Sequence, residues 1–397
     1  MRRSYWVVIV CGALILTLST GLRQTLGLFL KPMTVDLAVS REIFSFGIAL
    51  QNILWGAAGP FAGAIADKFG TRRVLVCGGL LYAAGLWAMG LAGGPFEIVL
   101  GSILIGLGLA GVGFTVILGV VGRAAPPERR SMALGIVAAG GSFGQFTMVP
   151  YGQAFLEAYG WEVALFILAA TALIMVPLSR GVAGQKNAGG EAQSLGQALD
   201  EALRHRGFWL LTAGFFVCGF QVVFVGTHLP AFLADQAMPA WLGGWGLALV
   251  GLFNIVGTYA CGALGQRYRK KYVLAWLYIA RSAAFVVFLA MPLSNLSVLL
   301  FASILGLLWL GTVPLTGGLV AQIFGPTYMS MLYGIVFFSH QIGSFLGAWL
   351  GGKLFDMTGS YDAMWLICIA LGFIAAALHW PITDRPVPRL SAAMARA

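Results

Sequence analysis

Apolar residues along this 397-residue chain gather into long runs parted by short polar breaks. A helix that crosses a bilayer needs about 20 consecutive, mostly apolar residues. Twelve stretches reach that length: 5–30, 42–66, 74–92, 96–121, 131–156, 161–179, 207–233, 241–264, 273–293, 296–321, 330–352 and 362–380. Lipid offers no partner to backbone N–H and C=O groups, so such runs fold as helices that close their hydrogen bonds internally. The pattern predicts an all-α polytopic membrane protein with twelve transmembrane helices. Met1-Arg2-Arg3 ahead of the first run imitates a signal peptide. That run is too long for one and ends in no small-residue cleavage site, so it is expected to remain as the first span.

Composition narrows the class. Hydrophobic residues make up 59% of the chain and charged residues 10%, with a mean hydropathy of +0.88. A soluble domain carries roughly 25% charged residues. Low charge and 13% aromatics also exclude a disordered chain. The five cysteines, Cys11, Cys77, Cys218, Cys261 and Cys368, sit inside apolar runs with no metal-ligand spacing, which predicts packing residues and no disulfides or metal. No cofactor motif is present.

The net charge of +10 sets the orientation. With both termini in the cytoplasm, the inner face holds 19 of the 24 lysines and arginines, and the outer face only Lys31, Arg41 and Lys353. Eight of the 14 acids lie at the outer face. This is the positive-inside pattern of a multi-pass protein of a bacterial inner membrane. The partner of the basic surplus is therefore the lipid bilayer and not nucleic acid. A monomer is the expected working unit.

The longest polar stretch, 180–206, contains Gly184-Gln185-Lys186-Asn187-Ala188-Gly189-Gly190-Glu191. It divides the chain into an N-terminal six-helix bundle (1–180), a cytoplasmic linker (181–206) and a C-terminal six-helix bundle (207–397). The two parts repeat at an offset of 199. Gly135-Ile136-Val137 maps onto Gly334-Ile335-Val336, Met132 onto Met331, Gly144 onto Gly343 and Gly160 onto Gly359. The loop Gly63-x-x-x-Asp67-x-x-Gly70-x-Arg72-Arg73 maps onto Gly262-x-x-x-Gln266-x-x-Arg269-Lys270-Lys271. Paired six-helix units describe a carrier with its substrate site between them.

The first of these loops resembles the signature loop of the major facilitator superfamily, and the resemblance covers essentially the whole chain. Within that superfamily, Glu128-Arg129-Arg130-Ser131-Met132-Ala133-Leu134-Gly135-Ile136 through Ser142 is similar to the fifth-helix motif of the monocarboxylate and oxalate/formate branch. Thr227-His228-Leu229-Pro230 and Ser339-His340-Gln341 also look like bacterial members. The resemblance implies that Asp67, Arg72 and Arg73 form a latch favouring the outward-facing state. The second-half loop lacks the acid, which implies a weaker latch there. The chain departs from the eukaryotic carriers in helix eight, where Asn254 and Thr258 replace an Asp and an Arg, and in lacking the first-helix acidic motif.

Intramembrane polar residues supply the candidate chemistry. Arg281 stands almost at the centre of the ninth span. Arg23 stands about 8 Å outward of the middle of the first, at ~1.5 Å per residue. A central arginine costs roughly 2.5–3.5 kcal/mol on insertion scales and must face a watery cavity, a carbonyl cluster or an anion. No carboxylate lies near the middle of any span. The missing partner is then expected to be an anionic substrate, since a guanidinium fork binds a carboxylate with two parallel hydrogen bonds. Gln51, Asn52, Gln145, Gln221, Asn254, His340 and Gln341 share the central layer and are the other candidate substrate contacts. His340, which can titrate near physiological pH, and Arg281 are the candidate proton-coupling groups. A mid-span arginine in helix nine is similar to one in the sugar-permease branch that serves proton coupling. His228, two residues before Pro230, is a candidate gating residue.

Two enzyme-like patterns fail on context. Gly106-x-Gly108-x-x-Gly111 and Gly140-x-Ser142-x-Gly144 both lie inside apolar helices, without the strand–turn–helix setting that nucleotide binding or a nucleophile elbow requires. The sequence therefore predicts a secondary carrier of small organic anions, most simply monocarboxylates, working by proton coupling or anion exchange. An efflux carrier for drugs or neutral compounds is the alternative. A cationic-drug exporter would want an acid in its cavity, and none is offered.

Overall fold

The computed structural model describes residues 5–126, 129–182, 195–325 and 329–388. Met1-Arg2-Arg3, Glu128 and the Gly184–Glu191 linker run lie outside them, as do the side chains of Asp67 and Arg130. The first half comprises α1 (Tyr5–Asp36), α2 (Arg41–Phe69), α3 (Thr71–Gly90), α4 (Pro95–Val112), α5 (Phe114–Ala124), α6 (Arg130–Leu173) and the single turn α7 (Met175–Leu178). A short helix, α8 (Leu195–Leu203), occupies part of the stretch expected to be a plain linker. The second half comprises α9 (Arg206–Asp235), α10 (Ala240–Arg267), α11 (Lys270–Ala290), α12 (Asn295–Leu307), α13 (Thr312–Phe324), α14 (Met329–Thr358) and α15 (Asp362–His379).

Among the described residues, eleven helices are long and apolar enough to cross a membrane. One of them, Met132–Leu178, runs 47 residues, about 70 Å at 1.5 Å per residue, and so holds two spans. They join at Gly160, whose φ of 77° is non-helical. Two other expected spans are each broken in the middle. The fourth splits into α4 and α5 at Gly113, and the tenth into α12 and α13 around Leu308–Gly311.

The backbone repeats the 199-residue offset of the sequence. The positive-φ residues Gly160 and Gly359 are one such pair, and the non-glycine outliers Ala38 (φ 51°) and Ala237 (φ 55°), which end α1 and α9, are another. Packing follows the same rule. A Cβ on Gly144 would strike the carbonyl of Thr17, and one on Gly343 that of Phe216. Thr17 and Phe216 are themselves 199 apart. Hydrophobic burial gives helices little reason to associate in lipid, so close backbone approach at small residues supplies the packing energy. The halves meet chiefly along α1 with α9, α2 with α14, and α6 with α10.

Candidate functional site

Arg23 lies where the two halves face each other. It lines a void of about 10 Å³ together with Gln24, Gly27 and Ile48 of the first half and Val223, Gly226 and Thr227 of α9. That volume holds about one water molecule. Its Nη2 donates to Asn52 Oδ1 at 2.5 Å, and Asn52 is oriented in turn by donating to Ile48 O at 2.7 Å. The guanidinium lies 5.4 Å from the Trp55 ring. Its Nε is buried without a partner. No carboxylate bonds Arg23 among the described residues, so its charge is met only by an amide dipole and an aromatic face.

The remaining candidates divide by where they point. Gln145 crosses the interface, donating to Leu247 O at 3.0 Å and accepting from Gln24 at 3.3 Å. Asn254 also crosses it, donating to Ser142 Oγ at 2.8 Å. Gln341 packs its side chain on Gly56 of α2 and leaves Nε2 unpaired. Gln51 faces away, toward Ser102 of α4 at 3.4 Å. Gln221 is inside the second half, donating to Cys368 O at 2.7 Å. His340 has Nδ1 3.2 Å from Gln341 Oε1 and its ring stacked on Phe337, centroids 5.7 Å apart.

Arg281 differs from expectation. Of the three environments a buried arginine accepts, the structure supplies carbonyls. Nη2 donates to Leu308 O at 2.5 Å and to Trp309 O at 2.6 Å, and Nη1 to Gln221 Oε1 at 3.1 Å. Leu308 and Trp309 sit at the break after α12, where the last turn of a helix has carbonyls without intrahelical partners. A cation there also opposes the negative end of the helix dipole. Asn254 works on the same break from the other side, accepting from Leu310 N at 3.0 Å. Both arginines leave Nε unpaired, but Arg281, at 0% exposure, spends its other nitrogens on three oxygens within one half, whereas Arg23 has a single acceptor and lies between the halves.

A polar network that no sequence motif marks joins the halves at the end the charge pattern assigns to the outside. Arg41 at the start of α2 holds Asp235 at the end of α9 with a two-pronged pair, 2.6 and 2.8 Å, and Lys31 adds a third contact at 3.0 Å. Asp356 of α14 accepts from the backbone N–H groups of Arg41 and Glu42, at 3.2 and 2.7 Å, and so caps α2 from the opposite half. Trp349 donates to Glu42 at 2.9 Å. Arg41 also donates to Tyr361 OH at 2.9 Å, which lies 3.2 Å from His228 Nδ1. These charges read as ordinary outer-face residues in the sequence because each partner lies about 200 or more positions from the other.

Contacts between the halves run from this network down to Asn254–Ser142 and to the Trp55–Phe337 ring pair, 5.8 Å apart. The ion pairs between the halves, Arg41–Asp235 and Lys31–Asp235, lie at the outer end, beside a cavity of about 480 Å³ lined by Lys31, Asp36, Glu157 and Pro230. Arg72 and Arg73 are exposed at the start of α3, with no hydrogen bond or ion pair between described residues. In the second half the acid missing from the corresponding loop comes from elsewhere. Asp384, beyond α15, accepts from Arg269 Nη2 at 2.5 Å and Nε at 3.1 Å.

The chain matches the sequence model of the Major Facilitator Superfamily over residues 11–348 and 242–396. It is 26% identical to an uncharacterized MFS-type transporter, YcxA, of Bacillus subtilis (strain 168), over 96% of each chain. It is 29% identical to monocarboxylate transporter 11 of Mus musculus, over 91% of this chain and 84% of that protein. It is 22% identical to the oxalate:formate antiporter of Oxalobacter formigenes, over 97% of this chain and 94% of that one. The solved structure of a bacterial homolog to the human lysosomal transporter Spinster, in inward-facing and occupied conformation, superposes with a TM-score of 0.77 at 15% identity, covering 96% of this chain and 98% of that chain. Fold, repeat and relatives agree: the chain belongs to the Major Facilitator Superfamily, and it is a multi-pass transporter of the cell membrane.

Proposed function

We propose that this transporter carries small organic anions, monocarboxylates first among them, by alternating access, with Arg23 as the group that meets the carboxylate. The observation that carries this reading is the guanidinium of Arg23, set between the halves with unpaired donors and no acid bonded to it. A carboxylate is the planar, two-oxygen partner that such a fork suits. Asn52 and Trp55 hold the fork in place, while Gln24, Gln145 and Asn254 offer amides at the same interface. The relatives that carry monocarboxylates or exchange oxalate for formate support the same class.

The void beside Arg23 has room for about one water and not for a carboxylate. Cargo therefore reaches Arg23 as the halves part, which couples occupancy to the rocking motion. Charge balance comes either from a proton that travels with the anion or from a second anion moving the other way. No acid on α1 is needed in either case.

A thermal-shift panel of short monocarboxylates, dicarboxylates, amino acids, sugars and hydrophobic drugs tests the class. A ligand at 100 times its Kd stabilises by about 2.7 kcal/mol. Monocarboxylates should raise the melting temperature and lose that effect in Arg23→Gln. Stabilisation by neutral drugs alone would replace this reading with the efflux alternative.

A further inference from the structure

His228 sits inside the outer closure, 1% exposed, with its ring between α14 and the start of α15. Its Nε2 lies 2.8 Å from Ala348 O, which can only accept, so Nε2 carries the proton. Nδ1 of the neutral ring is then an acceptor, and Tyr361 OH, 3.2 Å away, donates to it. Tyr361 in turn accepts from Arg41 Nη1, the same nitrogen that donates to Asp235 Oδ2 at 2.6 Å. One unbroken chain of donors and acceptors thus runs from Ala348 through His228, Tyr361 and Arg41 to Asp235, crossing from the second half to the first and back.

We propose that His228 is a proton-binding site of the outer gate, and that its protonation opens the gate through Tyr361 and Arg41. A second ring proton makes Nδ1 a donor. The Tyr361 hydroxyl then loses its acceptor, and a positive charge arrives behind the ring that already faces Arg41. Arg41 of α2 and Lys31 of α1 oppose a second positive charge on the ring, while the carboxylates of Asp235, Asp356 and Glu42 are already bound to Arg41, Lys31, the α2 backbone and Trp349. On α14, Lys353 lies over Trp349, 4.8 Å from the ring, and Gly351 leaves no space beside the imidazole for a compensating group. The closed gate and the doubly protonated ring exclude each other, so acid on the outer side favours the outward-open state. This holds whatever cargo Arg23 takes.

Spin labels on Val35→Cys and Met357→Cys report the gate. Both positions are exposed, at 70% and 71%, near the outer ends of α1 and α14, and the exposed native Cys77 is replaced by Ser. In liposomes, moving from about pH 8 to about pH 5 spans the range in which an ordinary histidine titrates. The wild-type background should gain a longer-distance population on acidification. His228→Gln, which can still donate to Ala348 and accept from Tyr361, should keep the short distance and lose that gain. A full acid response in His228→Gln, or none in the wild-type background, overturns the proposal. If His228→Gln already stands open at about pH 8, Tyr361→Phe decides: a response undiminished without the linking hydroxyl also overturns it.

Discussion

Arg281 stands 199 residues beyond Tyr82, and the two make the same tie. Tyr82 OH donates to Ser19 O at 3.0 Å, while Arg281 Nη1 reaches Cys218 Sγ at 3.7 Å, and Ser19 and Cys218 are 199 apart as well. In each half the third helix of the repeat is thus pinned to the first at an equivalent point. The second half then gives its longer, charged side chain an extra task, holding the carbonyls of Leu308 and Trp309 where α12 breaks.

That placement predicts a stability defect for Arg281 variants and not a recognition defect. Arg281→Gln leaves at least one carbonyl at the break without a donor, at a cost of about 1–3 kcal/mol. The melting temperature should fall, while the apparent KM of the protein that remains folded stays near the wild-type value. A raised KM with unchanged thermal stability would return Arg281 to the cargo site.

The Arg41–Asp235 pair should set the balance between the two states of the carrier. Its side chains are 11% and 22% exposed, so solvent weakens it only in part. Asp235→Asn should shift the equilibrium toward outward-open by roughly 1–3 kcal/mol, the usual range of conformational coupling. Cysteine-accessibility labelling from the outer side of the vesicle reads this out. Labelling at the wild-type rate in Asp235→Asn would mean that the pair does not hold the gate.

Acid should loosen the tail beyond α15 through Asp384. The hydrogen bonds from Arg269 hold its carboxyl below the usual carboxylate range. A folded-state value below the unfolded one stabilises the fold at neutral pH, and that contribution disappears as pH falls below about 4 toward the folded value. The stability gap between wild type and Asp384→Asn should be constant near neutrality and shrink under acid. Melting curves at a series of pH values check it, and a gap that widens under acid would contradict it.

Gly144 offers a packing test free of charge effects. Its backbone lies against the Thr17 carbonyl, so Gly144→Ala must push α6 away from α1. Core overpacking costs about 1–3 kcal/mol. The same substitution at Gly343 should cost a similar amount, because Phe216 repeats the approach. Unequal losses in a melting experiment would show that the halves relax differently.

Much of the fold was legible in the sequence because lipid leaves few choices. Run length predicted the spans, and a single offset predicted the repeat that reappears in Ala38 with Ala237 and Gly160 with Gly359. Arg23 was legible as a cation at membrane depth without an acid. The break at Leu308–Gly311 is marked only by Gly311 and by Pro314 in the first turn of α13, a weak signal inside a long apolar run. Without the break, the sequence leaves a carbonyl cluster as only one of three environments open to Arg281. The outer network escaped for a related reason. Arg41 and Asp235 look like ordinary interface charges until folding brings α2 and α9 together. Asp384 likewise supplies the second signature loop from 115 residues away.

Uptake of a labelled short monocarboxylate into proteoliposomes, compared among wild type, Arg23→Lys and Arg23→Gln, tests the central claim most directly. Losing one charged, two-pronged contact to the cargo costs about 1.5–3 kcal/mol, roughly a 10- to 150-fold loss in kcat/KM. Arg23→Gln should show that loss with its melting temperature little changed, and Arg23→Lys should retain part of the activity. Wild-type uptake by a well-folded Arg23→Gln protein would contradict the account, since the anion would then be bound without the one arginine that faces it.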